Sequence, residues 1–169
     1  MRPQWVVTGA VGLWPKSLRA ERLNSRSGAW GISASDARYF MRLKSGIKLL
    51  DEREGAGEPA KRGDHIVYNL RIFLNKGGEV PLNRRQAEHL SPDLVRVVDG
   101  YPFIDHRITM GGRRAIAGVE YSLLGMKVGG YRKVRISPHL GYRDGGLADL
   151  IPPDAVLIVE LWLRELIRP

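Results

Sequence analysis

The 169-residue chain contains no cysteine. Disulfides, thiolate nucleophiles and Cys-ligated zinc or iron–sulfur centres are therefore excluded, and the fold has no covalent staples. No uninterrupted apolar run approaches bilayer-spanning length, so no transmembrane helix is predicted. Histidine is scarce: His65, His89, His106 and His139 show no metal-ligand spacing and read as surface or satisfied polar side chains. No G-x-S-x-G, Walker-type or H-E-x-x-H motif occurs, and the acids are scattered among basic residues as solvated faces. Neither a metal nor another cofactor is expected.

Positive charge, in contrast, is abundant and unevenly placed. The formal net charge is +9, and residues 1–43 carry seven Lys/Arg against two acids, Glu21 and Asp36. The rest of the chain is close to balanced, with twenty against sixteen. Residues 1–43 therefore read as a basic extension, partly disordered or helical, with Ser35 or Asp36 able to cap a short helix through Met41. The plain interpretation is a solvated arm. A contact with nucleic acid or an anionic membrane surface is expected only through this arm, by non-specific charge. Residues 1–35 are also Arg- and Ser-rich with one acid, as a transit peptide would be. The expected location is cytoplasmic, or organellar if that segment is such a peptide.

Residues 44–169 read as one α+β domain. GIKLLDEREGAGEPAKRGDHIVYNLRIFL is strand, exposed turn, strand, and NKGGE (75–79) is a hairpin-like turn. Residues 81–106 hold scattered Pro, Arg and aromatics and read as an inserted loop with at most one helical turn. AIAGVEYSLLGMKVGG (115–130) is amphipathic: Ile116, Val119, Leu123 and Met126 fall at helical spacing, and glycines offer places to stop. TMGGRRA, just before it, is a tight turn or a weak anion cradle. YRKVRISP alternates, with Val134 and Ile136 inward and Arg132, Lys133 and Arg135 mostly outward. In LIPPDAVLIVELW the two prolines cannot continue a ladder, and Leu157, Val159, Leu161 and Leu163 then line one apolar strand face.

The order of these pieces resembles the FK506-binding-protein (FKBP) family of peptidyl-prolyl isomerases. The resemblance rests on Gly118, Glu120, Leu123, Gly125-Met126 and Gly129, then Arg132, Ile136, Pro138, Tyr142, Ile151-Pro152-Pro153, Ala155, Leu157 and Leu161. It covers about residues 46–169 and is strongest over 115–163. It implies an antiparallel β-sheet wrapped around one short helix, with a pocket between them. Proline-containing polypeptides would be the substrates, and Xaa–Pro isomerisation in protein folding the activity. A catalytically silent FKBP-like chaperone or peptide-binding module is the alternative.

The resemblance also assigns residues. Tyr142 and the backbone N–H of Ile116 would bond the ligand, Ala115 precedes Ile116, and Leu150 and Ile151 would close over the proline. The family's floor tryptophan becomes Val119 and its wall tyrosine Leu70. Its Phe-Asp pair becomes Val80-Pro81, its strand phenylalanine Val159, and its flap histidine Leu147. The lining stays apolar but loses aromatic walls and an acid, so activity is expected to be weakened. Tyr101 and Phe103, in the insertion, are the expected replacements.

Overall fold

The computed structural model describes residues 45–168. The basic extension and the helix expected to follow Ser35 or Asp36 lie outside them. Among the described residues no helix is long and apolar enough to cross a membrane.

Five antiparallel strands build the main sheet in the order β1-β6-β7-β2-β5: β1 Ile47–Arg53, β2 His65–Leu74, β5 His106–Thr109, β6 Tyr131–Ile136 and β7 Leu157–Ile167. β7 and β2 are its longest strands and lie at its centre. Period-two alternation gives each strand two faces. Leu157, Val159, Leu161 and Leu163 of β7 are fully buried on the face that Ile66, Tyr68, Leu70 and Ile72 share from β2. Val134 and Ile136 of β6 join them.

The helix α2, Ala117–Leu123, covers this face. It is shorter than the amphipathic pattern over 115–130 predicts. Gly125 adopts φ +74° and donates its N–H to Ala60 O at 2.9 Å, which turns the chain out of the helix. Arg132 shares the inward face with Val134 and Ile136, contrary to the outward orientation expected. Its guanidinium donates to Ser122 O at 2.5 Å and Leu124 O at 3.1 Å, so a cation satisfies carbonyls at the helix C-terminus. Gly118 lets the helix lie close to the sheet: a Cβ there would stand 2.4 Å from Ile136 Cγ2. The α+β architecture, an antiparallel sheet around one short core helix, is therefore the observed one.

The insertion is not an irregular loop. It folds as α1 Leu82–Ala87, a 3-10 turn at Pro92–Leu94, and a hairpin of β3 Val95–Val98 and β4 Tyr101–Ile104. Tyr101 and Phe103, expected to replace the pocket aromatics, do not line the inward face. Phe103 meets Trp162 edge-on at 5.3 Å, Tyr101 lies 4.8 Å from Phe103, and Trp162 lies 5.2 Å from Tyr131. Trp162 alternates away from Leu161 and Leu163, so this aromatic chain lies on the outer face. The physical reason is that an outward tryptophan leaves apolar area that the hairpin covers. Asn69, also outward and buried, donates to Ile104 O at 2.7 Å and fixes the end of β4.

Candidate functional site

Ten of the residues assigned from sequence meet in one apolar cluster on the inward face, whereas Pro81, Tyr101 and Phe103 lie outside it. Leu70, Val80, Val119, Ile151 and Val159 are buried members, and Ala115, Ile116, Tyr142, Leu147 and Leu150 are half-buried residues packed against them. The two groups differ in what they can touch. Val119 and Val159 are 2% and 0% exposed, so they shape a floor from beneath. The half-buried residues form the surface that a ligand would meet.

Local backbone chemistry holds that rim in place. Ile116 caps α2, its carbonyl accepting the N–H groups of Val119 at 3.0 Å and Glu120 at 3.1 Å. The N–H of Ile116 itself donates to no carbonyl among the described residues. Beyond β6, Pro138–Leu140 forms a 3-10 turn that delivers Tyr142, whose carbonyl accepts the Gly146 N–H at 3.1 Å. Leu147 and Ile151 exchange backbone hydrogen bonds, each 2.8 Å. This pairing closes the loop over itself and sets Leu150 beside Ile151. Gly146 makes it feasible: its φ is +62°, and a Cβ there would stand 2.4 Å from Ile151 O. Pro152 and Pro153 follow, and Asp154 N–H returns to Arg143 O at 2.7 Å before β7 begins.

Tyr68 belongs to this region and was not singled out from the sequence. It is buried on the inward face of β2, and its ring stacks on His106 with centroids 5.3 Å apart. Burial, then the neighbouring Tyr142 phenol and the Glu120 carboxylate, push its hydroxyl well above the ordinary tyrosine range. Burial also raises Tyr142. Both phenols are thus neutral O–H donors at physiological pH, and no hydrogen bond occupies either hydroxyl among the described residues. The signal lies in the alternation: Tyr68 shares a face with Ile66, Leu70 and Ile72, two positions before the assigned wall residue Leu70.

Two other sequence expectations change here. His106 is not a satisfied histidine: its Nε2 is buried without a partner, and burial lowers its pKa, so the ring is neutral near pH 7. The TMGGRRA segment is a turn rather than an anion cradle. Gly112 N–H bonds Thr109 O at 2.9 Å, and the Gly111 amide donates to the Glu120 carboxylate. No group of three or more His, Asp or Glu side chains suited to a metal occurs among the described residues.

The site is therefore an apolar cluster with one unengaged phenol, Tyr142, and one unengaged amide, Ile116, among its half-buried residues, and a second unengaged phenol, Tyr68, buried beside them. It contains no nucleophile–base pair, so it can bind and orient a group but not attack one. The family model described as FKBP-type peptidyl-prolyl cis-trans isomerase matches residues 57–164. An FK506-binding protein of Neisseria meningitidis serogroup B is 32% identical over 120 residues, 71% of this chain and 95% of that protein. FK506-binding protein 1A of Neurospora crassa is 28% identical over 68% of this chain and 83% of its own length. The 39 kDa FK506-binding nuclear protein of Drosophila melanogaster is 30% identical over 72% of this chain, which spans only 30% of the fly protein. The family-model match over residues 57–164, the Neisseria relative at 32% identity and the Ile151-Pro152-Pro153 loop lead to one conclusion: the chain belongs to the FKBP-type peptidyl-prolyl cis-trans isomerase family.

Proposed function

We propose that the domain isomerises Xaa–Pro peptide bonds in polypeptides bound across the basin rimmed by Tyr68, Ala115, Ile116, Tyr142 and Leu150. The uncatalysed reaction is slow because twisting the bond breaks amide resonance, a barrier of about 18–20 kcal/mol. A planar amide is strongly dipolar and well hydrated. Moving it onto an apolar, water-poor surface costs the planar form more than the twisted one, which lowers the barrier without covalent chemistry.

The observation that carries this reading is the coexistence of an apolar floor with the unengaged Tyr142 hydroxyl and Ile116 N–H. These two donors, about one hydrogen bond each, would hold a substrate carbonyl while the proline ring rests on Val119 and Ile151. Tyr68 adds a third donor from the wall. The same floor favours reduced activity, because Val119, Val159 and Leu70 offer less surface than aromatic rings would.

The test is exchange NMR on a series of Xaa–Pro peptides with the wild-type chain and Tyr142→Phe. One lost hydrogen bond is worth about 1 kcal/mol, so the variant should lose about fivefold in kcat/KM while melting at the wild-type temperature. A wild-type rate equal to background would reject catalysis and leave a peptide-binding module, the reading that the aliphatic floor alone would support.

A further inference from the structure

A second hollow lies beside the basin, between α1 with its following turn and the junction of β4 with β5. Its volume is about 720 Å³, and its apolar lining comes from Leu90, Leu94 and Ile104. That volume is in the range of ligand-binding cavities, about 300–1,000 Å³. Two polar side chains line it in an unusual state: Gln86 Oε1 and His106 Nε2 are buried without a hydrogen-bond partner. Such atoms cost stability unless something completes them.

We infer that this hollow is a substrate subsite that grips the polypeptide flanking the prolyl bond and selects an apolar residue there. The inference rests on the assignment of the prolyl basin and deepens it. Continuity is provided by His106, which lines the hollow and stacks on Tyr68 of the basin wall at 5.3 Å. A chain leaving the basin past Tyr68 meets His106 next. Each peptide unit carries one N–H and one C=O. The N–H satisfies Gln86 Oε1, and the C=O accepts from His106 when the neutral ring carries its proton on Nε2. Leu90, Leu94 and Ile104 then receive a side chain. The lining carries two arginines, Arg85 and Arg107, and two acids, Glu88 and Asp105, so its formal charges balance and hydrophobicity rather than charge selects that side chain. Asp105 is further engaged by Asn69 at 2.6 Å and Arg96 at 3.4 Å.

The subsite owes its existence to the insertion. Leu94 O accepts Asp105 N–H at 2.9 Å, which ties the floor of the hollow to the edge of the main sheet. The hollow thus forms where the inserted hairpin returns to β5.

The experiment uses the full chain and two peptides: a short one with a single residue on either side of Xaa–Pro, and a longer one with leucines flanking it. Leu90→Glu places a charge at the mouth, where Leu90 is 37% exposed and its loss threatens no core. The ratio of kcat/KM for the long peptide to that for the short one should fall about tenfold, a loss of about 1.4 kcal/mol in the flanking contact. Gln86→Leu should lower the same ratio and raise the melting temperature, since it removes an unpaired buried oxygen. An unchanged ratio in both variants overturns the subsite. So does a lower melting temperature for Gln86→Leu, which would mean that its oxygen is satisfied within the protein. The two readings fail separately. If neither peptide is isomerised but the long peptide shifts the amide resonances of residues 85–94, and Leu90→Glu weakens that binding, the subsite stands and the prolyl assignment falls.

Discussion

The two faces of the main sheet are built on different physical terms. The inward face is built mainly from apolar side chains: β2, β6, β7 and α2 press together through them, and Gly118 allows the helix to approach closely. The outer face is polar and aromatic. Arg71 holds Glu79 through two hydrogen bonds of 3.0 and 2.7 Å, and lies over the rings of Tyr101 and Phe73 at 4.7 and 5.1 Å. Tyr101 donates to the same carboxylate, and Glu160 gathers Tyr131, Lys133 and Arg71. The inward face uses shape, which suits a basin that must stay apolar to favour a twisted amide. The outer face uses directional bonds, which suit the anchoring of an added hairpin in one register without enlarging the core.

That contrast breaks most visibly under core truncation. Leu161 is fully buried at the centre of β7, and Leu161→Ala should cost about 2–5 kcal/mol, read by chemical denaturation. Hydrogen exchange should then accelerate throughout the sheet. A loss below about 1 kcal/mol would mean that the inward face is not the cooperative unit described. Phe103→Ala is the matching cut on the outer face. It removes the edge-on contact with Trp162 and the packing on Tyr101, an aromatic contribution of about 0.5–1.5 kcal/mol beyond area. Exchange should rise across residues 82–104 while 157–163 stay protected. Equal acceleration in both would merge the two faces into one unit and remove the distinction.

How much of this could be read from the sequence follows the same division. The inward face was legible because alternation in VLIVELWL and YRKVRI fixes which side chains share a face, and the Ile-Pro-Pro loop fixes where β7 starts. The site residues from Leu70 to Val159 come together for that reason. Arg132 escaped because its polarity suggested solvent, whereas the helix carbonyls of Ser122 and Leu124 were its partners. Tyr68 escaped because a residue-by-residue match to a family wall names one position and hides its neighbour two residues earlier. The insertion was the least legible part. Its strands are four residues each, too short for periodicity to separate them from a loop, and their partners are each other and Trp162. Apolar character in Tyr101 and Phe103 could not reveal which face of a distant strand they would cover.

Glu79 gives the finest test of the outer face. Its bond to Arg71, offset in part by burial and aided by Tyr101, holds its carboxyl below the ordinary carboxylate value. A depressed folded-state pKa contributes stability that is fully present above the unfolded value, about 4.3. That contribution is lost as pH falls from there through the folded value, when the carboxyl protonates and Arg71 loses its charged partner. Glu79→Gln keeps the size and removes the charge, so at pH 7 it should cost less than about 1 kcal/mol, as partly exposed pairs do. Its denaturation midpoint should also change less between pH 7 and pH 3 than that of the wild type. The difference between the two proteins should nearly vanish at the acid end. If the gap instead stays constant with pH, the carboxylate is not what anchors Arg71 against Tyr101, and ring stacking alone holds the hairpin to the sheet.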